Sequence, residues 1–120
     1  MKNILTRWLR PTHRELAWIE PAELHGRLKS TTAPLVVDVR GPQEFTGPLG
    51  HIERAVNTPL AALPARLPDL GRETREIVLV CKTDRRSSLG AQQMRDAGIA
   101  NVSVLLGGME EWRALGLPIQ

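Results

Sequence analysis

The chain has 120 residues, 42% hydrophobic and 24% charged, which suits one soluble globular domain with a real core and is too short for two. Its formal net charge of +3 arises at the start, where Lys2, Arg7, Arg10 and Arg14 precede every acidic residue; beyond them the chain is close to neutral. One Phe, three Trp and no Tyr exclude an aromatic nucleic-acid platform, no apolar run reaches a membrane span, and a single cysteine excludes an intramolecular disulfide or a multi-cysteine metal site.

Residues 1–14 stand apart as a basic N-terminal extension, with the domain over 15–120. Ile4, Leu5, Trp8 and Leu9 share one helical face, and Pro11 keeps any helix short. The extension lacks the apolar core of a secretory signal. A frayed or domain-packed segment is the favoured reading, and a weak membrane-surface or partner-binding helix over 2–10 is the minor one. From Ala17 the chain alternates. Ala17-Trp18-Ile19 reads as a short strand, and Pro21 suits the first position of a helix running to Leu28. Leu35-Val36-Val37 reads as a second strand ending at Asp38, and Pro42 to Phe45 as one helical turn. Ala55-Val56-Asn57 is a very short third strand. Leu60 to Leu70 has a helical pattern that Pro64 and Pro68 are expected to break. Ile77 to Val80 is the fourth strand. Serines after Cys81 are expected to cap a helix from Ser88 to Ala97, stopped by Gly98. Val102 to Leu105 is the fifth strand, and Gly107-Gly108 turns into a last helix through Trp112. The alternation implies an α/β fold, a mostly parallel five-stranded sheet with helices on both faces.

The one cysteine is the most informative residue. The β-branched run Ile77-Val78-Leu79-Val80 reads as a buried strand and leads straight into Cys81. Cys81 therefore sits at the carboxyl end of a strand, facing a helix start, where open α/β sheets bind ligands. The turn supplies backbone N–H groups, the helix start adds unpaired donors, and Lys82, Arg85 and Arg86 add cations. All three favour thiolate over thiol, and the same arrangement suits an oxyanion. The competing reading is a small buried hydrophobe.

Three stretches together resemble a known family. The first runs Val37-Asp38-Val39-Arg40, Glu44-Phe45, Gly50-His51-Ile52 and Ala55-Val56-Asn57. The second is the Cys81 loop. The third is Gly107-Gly108-Met109-Glu110-Glu111-Trp112 with Gly116-Leu117-Pro118. In this order and spacing they resemble the rhodanese-like domain, whose three-layer fold places helices on both faces of the sheet. The resemblance implies a sulfurtransferase that takes sulfane sulfur from a small anionic donor such as thiosulfate onto Cys81 as a persulfide. It then passes the sulfur to cyanide, a thiol or an acceptor protein, with no cofactor or metal. A carrier or interaction module without small-molecule turnover is the alternative. Cys81 to Arg86 spans six residues, the length usual in sulfurtransferases of this fold and one shorter than in its phosphatase relatives.

Individual roles follow. Cys81 is the expected nucleophile, and Lys82, Thr83, Asp84, Arg85, Arg86 and Ser87 the expected substrate-binding loop. Arg86 is expected to bind the anion or brace the loop, and Lys82 and Arg85 to steer donors or be solvated. Thr83 and Ser87 can bond the sulfur, with helix capping preferred for Ser87. Asp84 departs from the family's uncharged residue and is expected to point outward, paired with Arg85 or Lys82 or closing an Asx turn. Asp38 and Arg40 look pocket-side, with Asp38 or Glu44 pairing with Arg40. His51 reads as structural, Trp112 and Phe45 as core, and Trp18 as packed under the first helix. A lone free thiol suits a reducing compartment, so the expected location is cytoplasmic. No nucleic-acid partner is expected.

Overall fold

A computed structural model describes residues 16–120; the expected N-terminal extension, and any helix over 2–10, lie outside the described residues. Five strands, β1 (Ala17–Ile19), β2 (Leu35–Asp38), β3 (Val56–Asn57), β4 (Ile77–Val80) and β5 (Val102–Leu105), form one sheet in the order β1-β5-β4-β2-β3. Every pairing is parallel, with Leu35–Asp38 in register against Ile77–Val80. The helices are α1 (Pro21–Arg27), α2 (Pro42–Phe45), α3 (Leu63–Gly71, entered through a 3-10 turn at Leu60–Ala62), α4 (Arg85–Asp96) and α5 (Gly108–Ala114). Among the described residues no helix is long and apolar enough to cross a membrane.

The two-residue period of a strand divides the core. Ile77, Leu79 and Cys81 point to one face, where they meet Leu63, Leu70, Ala91 and Met94 of α3 and α4. Val78 and Val80 point to the other, against Leu24, Met109 and Trp112 of α1 and α5. Every residue of β4 is buried, as a strand covered on both faces requires. The same alternation aims the Cys81 side chain at the layer that contains α4.

Topology then fixes where a site can form. From β2 the chain moves outward to β3, whereas from β4 it moves the opposite way to β5. Connections that diverge in this manner leave a crevice beyond the carboxyl ends of the two central strands. β2 and β4 are those strands, and Cys81 follows β4 directly.

Three elements differ from expectation. Pro68 does not end its helix: α3 continues to Gly71 with Pro64 in its first turn and Pro68 inside it. Both prolines are exposed, so water can serve the Pro64 carbonyl left without a donor. α4 begins at Arg85, three residues before the expected start, so Ser87 is not a cap; Asp84 holds the N-cap position. Trp18 is exposed on the edge strand β1 and is not packed under α1.

Candidate active site

The Cys81 side chain is buried beneath the first turn of α4. Its Sγ accepts the Ser87 backbone N–H at 3.4 Å and lies 3.3 Å from the Ser87 hydroxyl. Starting the helix at Arg85 rather than Ser88 makes this possible. Ser87 becomes a first-turn residue, whose N–H has no partner within the helix and is free to meet the sulfur.

The rest of the loop is held from behind by α5. Met109 N–H donates to the Cys81 carbonyl at 2.9 Å, and Glu110 N–H to the Lys82 carbonyl at 3.0 Å. Gly108, at φ 60°, is the contact point: a Cβ there would lie 2.6 Å from the carbonyl oxygens of Cys81 and Lys82 and would overlap that of Thr83. Three consecutive carbonyls thus face α5. Each peptide is trans, so the N–H of the following residue points the opposite way. The N–H groups of Lys82, Thr83 and Asp84 are turned from α5, and none has a backbone acceptor among the described residues. Unpaired donors of this kind in a turn make an anion-binding concavity.

A second set of contacts spans the crevice. The two terminal nitrogens of the Arg86 guanidinium, Nη1 and Nη2, donate to Glu44 of α2 at 2.7 and 3.0 Å. This bidentate pair holds Glu44 at a pKa of about 2, down from 4.5, chiefly through the Arg86 hydrogen bonds, and Glu44 in turn raises Arg86 above its usual range. Glu44 also accepts the Gly41 N–H at 3.2 Å, which anchors it at the start of α2.

Below lies a buried ion pair. Arg40 Nε and Nη2 reach the Asp38 carboxylate at 2.9 and 2.8 Å, and Nη2 also donates to the Gly50 carbonyl at 2.7 Å. Asn57 Nδ2 donates to the backbone oxygens of Asp38 and Arg40 at 3.0 and 2.8 Å. The β2 end, the loop before β3 and β3 itself are therefore tied together under the crevice.

The chain matches the rhodanese-like domain family over residues 20–115. It belongs to that family. It is 32% identical over 101 residues to a sulfurtransferase of Allochromatium vinosum, covering 84% of this chain and 92% of that one. It is 40% identical over 93 residues to an uncharacterized protein of Synechocystis, covering 77% of this chain but only 50% of that longer relative. Among solved structures, the thiosulfate sulfurtransferase of Pseudomonas aeruginosa superposes with a TM-score of 0.78 at 25% identity, over 89% of this chain and 20% of that one. Family and relatives support a role in sulfur transfer or carriage for this rhodanese-like domain.

Of the residues singled out in the sequence, Cys81 and Ser87 meet at the floor. Lys82, Thr83 and Arg85 are exposed at the rim. Lys82 Nζ lies 3.7 Å from Glu110, and Thr83 has no bond to the sulfur. Arg86 braces the loop against α2. Asp38 and Arg40 sit beneath, paired as one of the two expected arrangements had it; Glu44 bonds Arg86 and not Arg40. The Asp84 carboxylate makes neither an ion pair nor an Asx-type bond among the described residues; its backbone carbonyl instead accepts the Ser88 N–H and hydroxyl at 3.0 and 2.5 Å. Phe45 is only half-buried and stacks on His51 at 3.7 Å between ring centres, while His51 Nδ1 bonds the Phe45 carbonyl, so His51 is structural and Phe45 is not core. Trp112 is core. Three contributions went unassigned in the sequence: Glu44, expected beside Arg40, as partner of Arg86, Asn57 as a tie between strands, and Gly108 as the seat of the loop. The Ala-x-Asn and Gly-Gly patterns signal the last two; nothing local signals a pairing of residues 44 and 86.

Proposed function

We propose that this rhodanese-like domain is a sulfurtransferase whose nucleophile is Cys81 and whose donor is a small sulfane-sulfur anion such as thiosulfate. The observation that carries the reading is the Cys81 Sγ held under the Ser87 N–H, in a loop whose carbonyls are drawn away by α5. The Cys81 thiolate attacks the outer sulfur of thiosulfate. A Cys–S bond forms, the donor's S–S bond breaks, and sulfite leaves with the electron pair. The persulfide anion that remains on Cys81 occupies the concavity of unpaired N–H groups. A nucleophilic acceptor, cyanide or a thiolate, then attacks the outer sulfur, and the Cys81 thiolate departs.

Lys82 and Arg85 act at the rim by drawing anions inward. Arg86 acts through Glu44 and holds the loop; its guanidinium is engaged there rather than reserved for substrate. A group committed in that way, on a six-residue loop, favours sulfur over the larger phosphate of the fold's phosphatases.

Intact-mass spectrometry tests the proposal. Thiosulfate treatment should add the mass of one sulfur atom, cyanide should remove it, and Cys81→Ser should not acquire it. Absence of the adduct with thiosulfate and with a persulfide donor alike would leave a docking module as the reading. Robust Cys81-dependent turnover of an aryl phosphate would overturn it in favour of a phosphatase.

A further inference from the structure

The end of the sheet opposite Cys81 carries a cavity of about 350 Å³, within the range of small-molecule sites. It opens where β2 begins: Leu35 and Val36 line it, and Leu35 pairs with Ile77, so it lies roughly 13 Å along the sheet from the thiol. Leu28, Pro34, Val36, Ile52 and Trp112 supply its apolar lining, with His25 and Ser30 beside them. The Trp112 indole N–H is already satisfied by the Pro118 carbonyl at 2.8 Å, and the ring meets His25 edge-on.

The mouth is charged. Lys29, Arg54, Arg75 and Glu53 line it. Arg75 is engaged bidentately by Glu73, whereas Lys29 and Arg54 have no ion-pair partner among the described residues. Two cations thus face one carboxylate, Glu53, and the surplus suits a single negative charge.

Arg54 adds a second, independent observation. The Ala55 N–H bonds the Ile52 carbonyl at 3.0 Å and closes a turn in which Arg54 takes the third position at φ 69°. Glycine or asparagine suits that position, and an arginine there is strained. Among the described residues no other non-glycine residue has a positive φ. The strained turn puts Arg54 in the wall of this cavity.

We propose that this cavity is a second binding site, for a small organic monoanion with an apolar body, a hydrophobic carboxylate or sulfonate. The body occupies the space against Trp112 and the anionic group meets Arg54 and Lys29. The site is separate from Cys81, and sulfur loading does not depend on it.

The full chain is titrated with 8-anilinonaphthalene-1-sulfonate and, in parallel, with N-phenyl-1-naphthylamine, which has the same rings without the sulfonate. The sulfonate should bind saturably with one site and the neutral amine more weakly. In ¹⁵N-labelled protein the sulfonate should move the Trp112 indole N–H and residues 25–36 and 52–54. Arg54→Gly relieves the positive φ, so it should keep or raise the thermal midpoint while weakening the sulfonate roughly fivefold or more, the worth of one charge-assisted contact. Sulfur loading of Cys81 should be unchanged in that variant. The proposal is overturned by non-saturable binding, by equal affinity for the neutral amine, by shifts centred on residues 81–88, or by an Arg54→Gly variant that binds as tightly as the parent.

Discussion

Ser87 and Gly108 govern the sulfur from opposite sides. Ser87 presents both a backbone N–H and a hydroxyl to Cys81 Sγ. Replacing it with alanine removes only the hydroxyl, so the N–H cradle persists. Ser87→Ala should slow persulfide formation by about tenfold, the value of one hydrogen bond to a charged group, while shifting stability by less than about 1 kcal/mol. Stopped-flow loading with thiosulfate and a thermal melt on the same sample check both parts. Gly108 acts through three carbonyl oxygens that converge on the space a Cβ would take. Backbone atoms cannot swing aside as a side chain can, and φ 60° already disfavours a Cβ. Gly108→Ala should therefore displace the loop, cost about 2–4 kcal/mol of stability and reduce sulfur loading more than a hundredfold in the fraction that folds. Near-normal loading by Gly108→Ala would show that the position of the loop carbonyls is not what orders the donors.

At the scale of elements, α2 and α4 meet across the crevice through Glu44 and Arg86. The pair is more than a third exposed, so solvent screens it and its worth is no more than about 1 kcal/mol. Its pH signature is nonetheless defined. Glu44 titrates near 4.5 when unfolded and about 2 in the fold, so the folded state favours the carboxylate. Its contribution is complete above pH 4.5 and is lost as pH falls from there towards 2. Glu44→Gln should be slightly less stable than the parent at neutral pH, with the gap closing below pH 4.5. Denaturant midpoints across that range check this; a gap independent of pH would point to packing rather than charge. The same pair marks what the sequence could convey. Strand positions were legible because β-branched runs bounded by Gly, Pro and Asp have few other readings, and Cys81 at the end of β4 followed from them. The start of α4 was not, because two serines resemble caps as readily as first-turn residues. What decides is tertiary: the Ser87 N–H meets Cys81 Sγ while α5 fixes the preceding carbonyls. Arg86 likewise lies 42 residues from its partner, beyond any local pattern. Asp38 is only two residues from Arg40, within reach of a sequence reading.

Across the whole molecule, two apolar layers enclose the sheet, and one polar knot is buried between the segments they cover. Asp38 and Arg40 are both about 1% exposed, and their contacts extend to Gly50 and Asn57. A buried pair of this kind gains little over an apolar replacement, because desolvation offsets much of the attraction, yet breaking it strands a charge. Arg40→Met leaves the Asp38 carboxylate without its guanidinium and the Gly50 carbonyl without its donor. The expected cost is about 3–5 kcal/mol, a large share of the stability of a domain this size. Asp38→Leu combined with Arg40→Met removes the stranded charge and should recover part of that loss, though not the bond to Gly50. Chemical denaturation of the two variants beside the parent decides the matter. If the double variant were no more stable than the single one, the knot would owe its value to the segments it joins rather than to charge pairing. Sulfur loading then adds a separate reading. Neither side chain hydrogen-bonds Cys81 Sγ, so loading per folded molecule should stay near the parent's in both variants even as the folded fraction falls.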